Sequence, residues 1–498
     1  MIVSEEIENK EIAKQYKELL RISYQTLTNK DKKLIRSAFD TAVHAHRNQR
    51  RKSGEPYILH PISVAKIVAH EIGLDATSIA AALLHDVIED TEYNIEDLEK
   101  LFGTGVAKIV EGLTKISKLS KENNTSLQAE NFRKLLLTLN DDVRVIIIKI
   151  ADRLHNMQTL GSMPEHKQVK IASETLYIYA PLSHRIGLYN IKTELEDLSF
   201  KYTEPSNYES IKNKIEDSKI DQQEYIKSFS EIVEFALAEE GLEYQIKGRG
   251  KSIFSINRKM ITQNIAFENV FDKFAVRIIY KATHRDEKFL AWKIYSIVTD
   301  HFTPNPTRLR DWITSPKTNG YEALHITVMG PDNKWVEVQI RSERMNEIAE
   351  KGYAAHHKYK QGTQKDIGID SWLDKLQEVL ENNTENPVDF VENFKLNLYA
   401  KEIFVFTPTG DIKSLPKGAT ALDFAFSIHT EVGMKTRGAR VNGKLVPLSK
   451  TLKSGEHVEV ITSENIKPTA NWLDFVQTSR AKSKIKSSLN EEKKRIAE

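Results

Sequence analysis

The sequence predicts a multidomain protein: an all-α N-terminal domain, a mixed-sheet α/β domain and a small β-rich module. Three observations predict it. Up to about residue 200, apolar residues recur at three- and four-residue spacing, the pattern of packed helices. From about residue 241, the runs Phe274–Tyr280, Ala323–Met329 and Trp335–Arg341 have strand character, with helical stretches between them. From about residue 400, short strands and turn residues dominate, and Asn442-Gly443 is a strong two-residue hairpin signal. A chain of 498 residues also exceeds what one hydrophobic core organises.

In chain order, residues 1–200 read as the helical domain. Ser53-Gly54-Glu55-Pro56 interrupts it as a loop, and Leu59-His60-Pro61 restarts a helix with proline in its first turn. Ala80–Asp90 (AAALLHDVIED) reads as one continuous helix ending in acidic residues, and the apolar run VIIIKIA leads into Asp152. Residues 201–240, rich in Lys and Glu, read as linking helices. Residues 241–365 form the α/β domain, where Glu337, Gln339 and Arg341 share one strand face and Val336, Val338 and Ile340 take the other. Residues 366–398 read as a helical linker. Residues 399–463 resemble a β-grasp module, with Thr420 and Asp423 as a helix-capping pair. Residues 464–498 are a basic helical tail. Seven basic residues against two acidic ones between Arg480 and Arg495 suit either a solvated helix or an anionic partner.

Composition excludes several classes. A formal net charge of +2 with 40% apolar and 29% charged residues is ordinary for a globular protein and does not by itself imply nucleic-acid binding. The absence of cysteine excludes disulfides and thiolate zinc sites, and fits a reducing compartment. The opening MIVSEEIENKEIAK lacks the apolar core of a signal peptide, and no apolar run approaches the roughly eighteen residues of a membrane span. A cytoplasmic protein with no membrane association is therefore expected.

Two constellations carry chemistry. In the first, His60, His85, Asp86 and Asp152 offer two imidazoles and two carboxylates, a mixed nitrogen and oxygen set that suits manganese, iron or zinc better than magnesium. Their order resembles HD-type metal phosphohydrolases. Glu89 and Asp90, one turn beyond, are placed to orient or deprotonate a water. Arg51 and Lys52 precede the Gly54 loop, and Asn156 and Thr159 share a helical face with Asp152. In the second, Arg249, Lys251, Ser255 and Lys259 fall in one short window suited to a polyphosphate, although it lacks Walker spacing. Asp272 and Arg277 flank a strand and Glu337 lies on a polar strand face, the minimum kit for magnesium-assisted phosphoryl transfer. Lys317, Asn319, Tyr321 and His325 follow, with Tyr321 suited either to stack on a base or to pack beside a turn.

The segments RKSGEPYILHP, HDVIED, KIADRLHNM, YAPLSHRIG, KTNGYEALH and EVQIRS, in this order, resemble the long RelA/SpoT homologues, bifunctional Rel enzymes of the bacterial stringent response. The resemblance runs from about residue 20 to about residue 465 and is specific because the motifs occur together in order. It implies an HD domain that removes pyrophosphate from the 3′ position of (p)ppGpp using Mn2+. His60, His85, Asp86 and Asp152 would hold the metal, Glu89 and Asp90 would direct water, and Arg51, Lys52, Asn156 and Thr159 would hold the nucleotide.

It also implies a synthetase domain that transfers pyrophosphate from ATP to the 3′ hydroxyl of GDP or GTP using Mg2+. Arg249 and Arg277 would sandwich adenine, and Lys251, Ser255 and Lys259 would bind ATP phosphates. Asp272 and Glu337 would hold magnesium, with Glu337 also activating the hydroxyl. Lys317, Asn319, Tyr321, His325 and Gln339 would form the acceptor site. The module at 399–463 would be a TGS domain meeting the ribosome and uncharged tRNA, with His429 at the tRNA 3′ end or, alternatively, capping a helix. Further regulatory domains would follow the basic helix.

The chain departs from the family pattern at Arg308-Leu309-Arg310-Asp311, where the usual Arg-X-Lys-Asp has lysine, and at Lys273-Phe274 after Asp272. Two alternatives to the bifunctional reading follow. One is a hydrolase whose α/β domain only senses nucleotide and is weakly active in synthesis; the other is a non-enzymatic RNA partner acting through the β-rich module and the basic tail. Opposed activities further predict reciprocal coupling between the two sites, carried by the helices between about 195 and 240.

Overall fold

The two most deeply buried helices form the centre of the N-terminal domain, one apolar nearly all round and the other apolar in its first half with polar residues following. Helix Ala76–Leu83 buries seven of its residues, and helix Val143–Gln158 buries ten, Asp152 among them. Around them pack helices Asn29–Ala45, started by a Thr28–Asp31 capping box, and Leu59–Lys66, which continues as a π-helical turn to Ile72. The computed structural model describes residues 2–23, 27–120, 142–270, 273–317, 320–352, 402–409 and 412–497. The linker expected at 366–398 lies outside them. The chain divides into two compact units, residues 1–118 with 141–371, and residues 119–140 with 372–498.

The expected continuous helix over Ala80–Asp90 is interrupted. Helix Ala76–Leu83 ends, residues 84–86 turn, and a short helix resumes at Val87–Asp90. The reason is local: adjacent residues on a continuous helix diverge by about 100°. The turn instead lets the neighbours His85 and Asp86 approach each other.

In the same unit a five-stranded sheet has the order β1-β2-β5-β4-β3, with β1 Tyr244–Gly250, β2 Phe274–Tyr280, β3 Arg310–Asp311, β4 Leu324–Met329 and β5 Trp335–Ser342. Neighbours are antiparallel except β2 and β5. One face is apolar: Val276, Ile278, Ile326, Val338 and Ile340 pack on helices Lys219–Glu239 and Glu287–His301. Residues 201–240 are therefore more than linking helices. Tyr225, Phe229, Val233 and Leu237, spaced by four, place helix Lys219–Glu239 inside the sheet's own core.

In the second unit β6 Glu402–Phe406 pairs with β7 Ile412–Pro416, and β8 Thr436–Val441 lies between β10 Val458–Thr462 and β9 Lys444–Val446. The β8–β9 hairpin turns at Asn442 (φ 50°) and Gly443 (φ 79°), the positive-φ pair that Asn-Gly accommodates at little cost. Helix Ala421–Ile428 carries the expected Thr420–Asp423 capping box. The basic tail is partly tied down. Trp472, Val476, Ala481 and Ile485 pack on Leu422 and Phe426, and fully buried Asp423 also accepts from the Gln477 and Thr478 amides and the Thr478 hydroxyl.

Replacing Asp423 by Ala strands those donors in a buried site, so it should lower the stability of this unit by about 3 kcal/mol. The check is hydrogen exchange of the full chain, in which the Gln477 and Thr478 amides should lose protection.

Two candidate active sites

The first site lies where helices Leu59–Lys66 and Val143–Gln158 meet the turn at 84–86. His60 Nε2 is 3.2 Å from Asp152 Oδ1 and 3.8 Å from Asp86 Oδ2; His85 Nε2 is 3.0 Å from Asp86 Oδ2. Ligand atoms of His60, His85 and Asp152 all lie within 4.8 Å of one another, and all three residues are buried.

The ring nitrogens are sorted by their outer partners. His85 Nδ1 sits 2.8 Å from the Ala82 carbonyl oxygen, to which it donates, so once the ring is neutral Nε2 carries the lone pair. His60 Nδ1 faces His155 Nδ1 at 2.7 Å. Burial and the neighbouring His60 and Arg51 push His155 down to about 3, so it is neutral; the tautomer in which it accepts from His60 is the one that leaves His60 Nε2 as an electron pair donor. His85 Nε2 is buried with no hydrogen-bond partner although a carboxylate oxygen lies 3.0 Å away. Two electron-rich atoms in that relation fit a shared cation, and the donor set is one a divalent metal takes. Burial disfavours protonated His85, yet the Asp86 carboxylate holds it up at about 9; a cation between these groups would replace that proton.

Beyond the cluster, Asp152 accepts from Lys149 Nζ at 2.8 Å and Asn156 Nδ2 at 2.6 Å. Asn156 Oδ1 and Thr159 Oγ1 each accept from Arg51 Nη2 at 3.0 Å. Three of the four residues expected to hold nucleotide are thus assembled beside the metal cluster, and Lys52 is exposed next to them. Gly54 turns this loop at φ 92°. Glu89 is half-buried and Asp90 exposed on the short helix after Asp86.

Sequence reasoning missed Tyr57, whose hydroxyl donates to Asp86 Oδ2 at 2.7 Å, and Lys149. The signal for Lys149 was its place inside an apolar run, three residues before Asp152.

The second site is the polar face of the sheet. Directly paired residues point to the same face, so register alone builds two rows. Arg249, Ala275, Glu337 and Thr327 form one, and Lys247, Arg277, Gln339, His325 and Arg310 the next. Glu337 Oε1 accepts from Gln339 Nε2 at 2.8 Å and lies 3.6 Å from His325 Nδ1; His325 Nε2 meets the Tyr321 hydroxyl at 2.8 Å. Burial pushes His325 down to about 4 despite Glu337, with Lys317 and two arginines adding to the effect, so it is neutral.

Arg249 lies on β1, which pairs with β2 along its whole length and ends just before helix Ile253–Gln263. Ser255 and Lys259 sit on helix Ile253–Gln263, one turn apart. Asp197 of helix Tyr189–Thr203 accepts from the Phe254 amide at 2.8 Å and so fixes that helix's start.

Two predicted binders are covered. Arg277 is buried and donates from Nη1 to Glu350 at 3.0 Å. Tyr321 is buried, with Lys317 Nζ 4.7 Å above its ring and Tyr189 edge-on at 5.4 Å. Asp272 and Asn319 lie outside the described residues. Lys273 reaches over the Phe267 ring at 4.6 Å, and Arg310 donates to the Thr307 and Leu309 carbonyls. In the second unit His429 is exposed and caps helix Thr430–Met434, its Nδ1 accepting from the Glu431 amide at 3.3 Å.

A helical histidine–aspartate centre, a mixed sheet with a cationic polar face and a β-grasp module, in this order, define a multidomain HD-type protein with a nucleotidyltransferase-like α/β domain. The HD domain family matches residues 38–189, the region found in RelA/SpoT proteins matches 248–364, and the TGS domain matches 403–462. The chain is 44% identical over 470 residues to a GTP pyrophosphokinase of Myxococcus xanthus, covering 93% of this chain and 61% of that protein. It is 45% identical over 462 residues to a guanosine-3′,5′-bis(diphosphate) 3′-pyrophosphohydrolase of Aquifex aeolicus, and 43% identical over 461 residues to the bifunctional (p)ppGpp synthase/hydrolase SpoT of Escherichia coli. Each match covers 92% of this chain and 65% of the relative. The chain belongs to the RelA/SpoT homologue family. It spans 61 to 65% of these relatives' own lengths. No helix among the described residues is long and apolar enough to cross a membrane. An HD domain implies a divalent metal, and the His60, His85 and Asp152 group is where this chain offers one a place.

Replacing Tyr57 by Phe removes the hydroxyl that orients Asp86 and should weaken divalent-metal affinity about tenfold. Calorimetric titration of the metal-stripped protein reads this directly.

Proposed function

We propose that this chain is a bifunctional alarmone enzyme that hydrolyses (p)ppGpp to GDP or GTP plus pyrophosphate, and makes (p)ppGpp from ATP and GDP or GTP. The observation that carries the reading is the buried His60, His85 and Asp152 cluster beside the Arg51, Asn156 and Thr159 grip. His60, His85, Asp86 and Asp152 would hold Mn2+, which when bound neutralises phosphate charge and acidifies water. Arg51, Lys52, Asn156 and Thr159 hold the nucleotide's phosphates beside it, and Glu89 and Asp90 orient the attacking water and take its proton.

On the sheet, Arg249 and Arg277 clasp adenine, while Lys251, Ser255 and Lys259 neutralise ATP phosphates. Glu337, held by Gln339, accepts the 3′ hydroxyl proton and, with Asp272, would hold Mg2+. Lys317, Asn319, Tyr321, His325 and Gln339 seat the acceptor. The domains divide as 1–200, 201–240, 241–365, 366–398, 399–463 and 464–498. The TGS module, with exposed His429, would meet tRNA and the ribosome in the cytoplasm.

A second reading, a hydrolase with a nucleotide-sensing and weakly active synthetase domain, is favoured by one observation: Arg277 is tied to Glu350 and Tyr321 is covered by Lys317. A measurable rate of ATP-dependent synthesis dismisses it. Purified protein should release pyrophosphate from (p)ppGpp with manganese, and form (p)ppGpp from ATP and GDP with magnesium. His85→Ala should abolish only the first activity and Glu337→Gln only the second. Loss of both in either variant would refute the two-site assignment.

Reciprocal coupling is supported by contacts along helix Tyr189–Thr203: Tyr189 at its start packs on Tyr321, and Asp197 near its middle fixes the helix bearing Ser255 and Lys259. Tyr189→Ala should make hydrolysis insensitive to GDP and ATP, read as the rate of pyrophosphate release with and without them. A response equal to that of the unaltered chain rules out this route.

A further inference from the structure

Arg341 follows Gln339 on the polar face of β5, and the proposed reaction gives it no task. It is 2% exposed, among the largest fully buried side chains, and neither Nε nor Nη2 has a hydrogen-bond partner. These two nitrogens form the side-on edge of a guanidinium, the edge that binds a planar oxyanion through two parallel hydrogen bonds. Arg344, three residues on, illustrates the satisfied arrangement: its Nε and Nη2 both grip Glu287, at 2.9 and 2.7 Å. Arg277 and Arg249 oppose its charge, and of the groups that favour it, Tyr321 and Glu350, the carboxylate is already bonded to Arg277. Burial and Arg277 push Arg341 down to about 10, yet it remains charged at neutral pH. An uncompensated buried cation is costly, and a neutral base edge would not compensate it, whereas an anion would.

We infer that Arg341 is a phosphate-binding residue of the synthetase face, taking phosphoryl oxygens of the acceptor nucleotide on its Nε and Nη2 edge. The acceptor side is indicated by register, because Gln339, the preceding residue on this face of β5, pairs directly with His325 of β4. Exposing the edge takes a swing of the side chain, or a shift of helix Glu343–Lys351 that carries Glu350. Phosphate binding supplies the driving force, because it neutralises a charge that the free protein leaves uncompensated.

This inference rests on the reading of the sheet face as a nucleotide site, and the experiment separates the two. Full-length chain carrying Arg51→Ala, which disables the hydrolase phosphate grip, is titrated with GDP and with guanosine in magnesium, with and without Arg341→Met or Arg341→Lys. GDP affinity should fall roughly 10- to 100-fold in Arg341→Met and substantially in Arg341→Lys, which keeps charge but loses the fork. Guanosine affinity should not change. Melting without nucleotide should occur at the same or a higher temperature in Arg341→Met, since an unpaired buried charge has been removed. Unchanged GDP affinity, equal losses for GDP and guanosine, or a lowered melting temperature in both variants would overturn the assignment. Failure of the Arg51→Ala parent to bind GDP at all would instead overturn the nucleotide reading of the face.

Discussion

The constraint on which both sites depend is that charge taken out of water must meet opposite charge or a hydrogen bond. The helical domain meets it internally. Asp152 lies among Lys149, Asn156 and His60, Asp86 accepts from Tyr57, and each ligand imidazole turns its Nδ1 outward, His85 to a carbonyl and His60 to a neutral histidine. What remains unmet is a set of electron pairs facing one point, the arrangement that suits a cation. The sheet face has the reverse sign: its buried guanidiniums outnumber the carboxylates near them, the arrangement that suits anions. The chemistry of each site can be read from the charge left over.

The centre of the helical site was legible because metal chemistry restricts residue types, and because His60, His85, Asp86 and Asp152 stand in otherwise apolar segments. Its outer partners were less legible. Tyr57 and Lys149 are ordinary residues until the fold places them on Asp86 and Asp152, a tertiary relation that no local period encodes. Strands β2, β4 and β5 were readable from β-branched and aromatic runs, whereas β1 carries no such run at its end, where Gly248-Arg249-Gly250 breaks the alternation. The turn at 84–86 was misread as helix because Ala and Leu favour helix so strongly that propensity hid the break. Helix Lys219–Glu239 was misread as linking because its charged surface outweighed four buried residues on one face.

The contrast between the two sites concerns readiness. Arg51, Asn156 and Thr159 are already bonded to one another and, through Asn156, to Asp152, so the phosphate grip and the metal cluster are one network. Such preorganisation lowers the cost of positioning substrate. On the sheet, by contrast, Arg277 is engaged by Glu350 and Tyr321 lies under Lys317, so nucleotide has to displace existing contacts. The helical site is thus preassembled, and the sheet face is engaged in contacts of its own.

That asymmetry has a structural reason, because the two sites share elements. Helix Tyr189–Thr203 belongs by sequence to the helical domain, yet Tyr189 touches the Tyr321 ring and Asp197 holds the start of the helix bearing Ser255 and Lys259. Helix Glu343–Lys351 carries Glu350 against Arg277 and ends at Gly352, where a side chain would collide with the backbone of Ile186 and Gly187. A Cβ at Gly352 would lie 2.7 Å from the Ile186 carbonyl oxygen, so the approach is set by backbone and cannot be absorbed by a rotamer change. A shift of this helix that frees Arg277 from Glu350 would therefore press on the segment that leads into Tyr189. Close-packed elements tend to move together, and this contact is the physical basis for the proposed coupling of the sheet face to the helical domain.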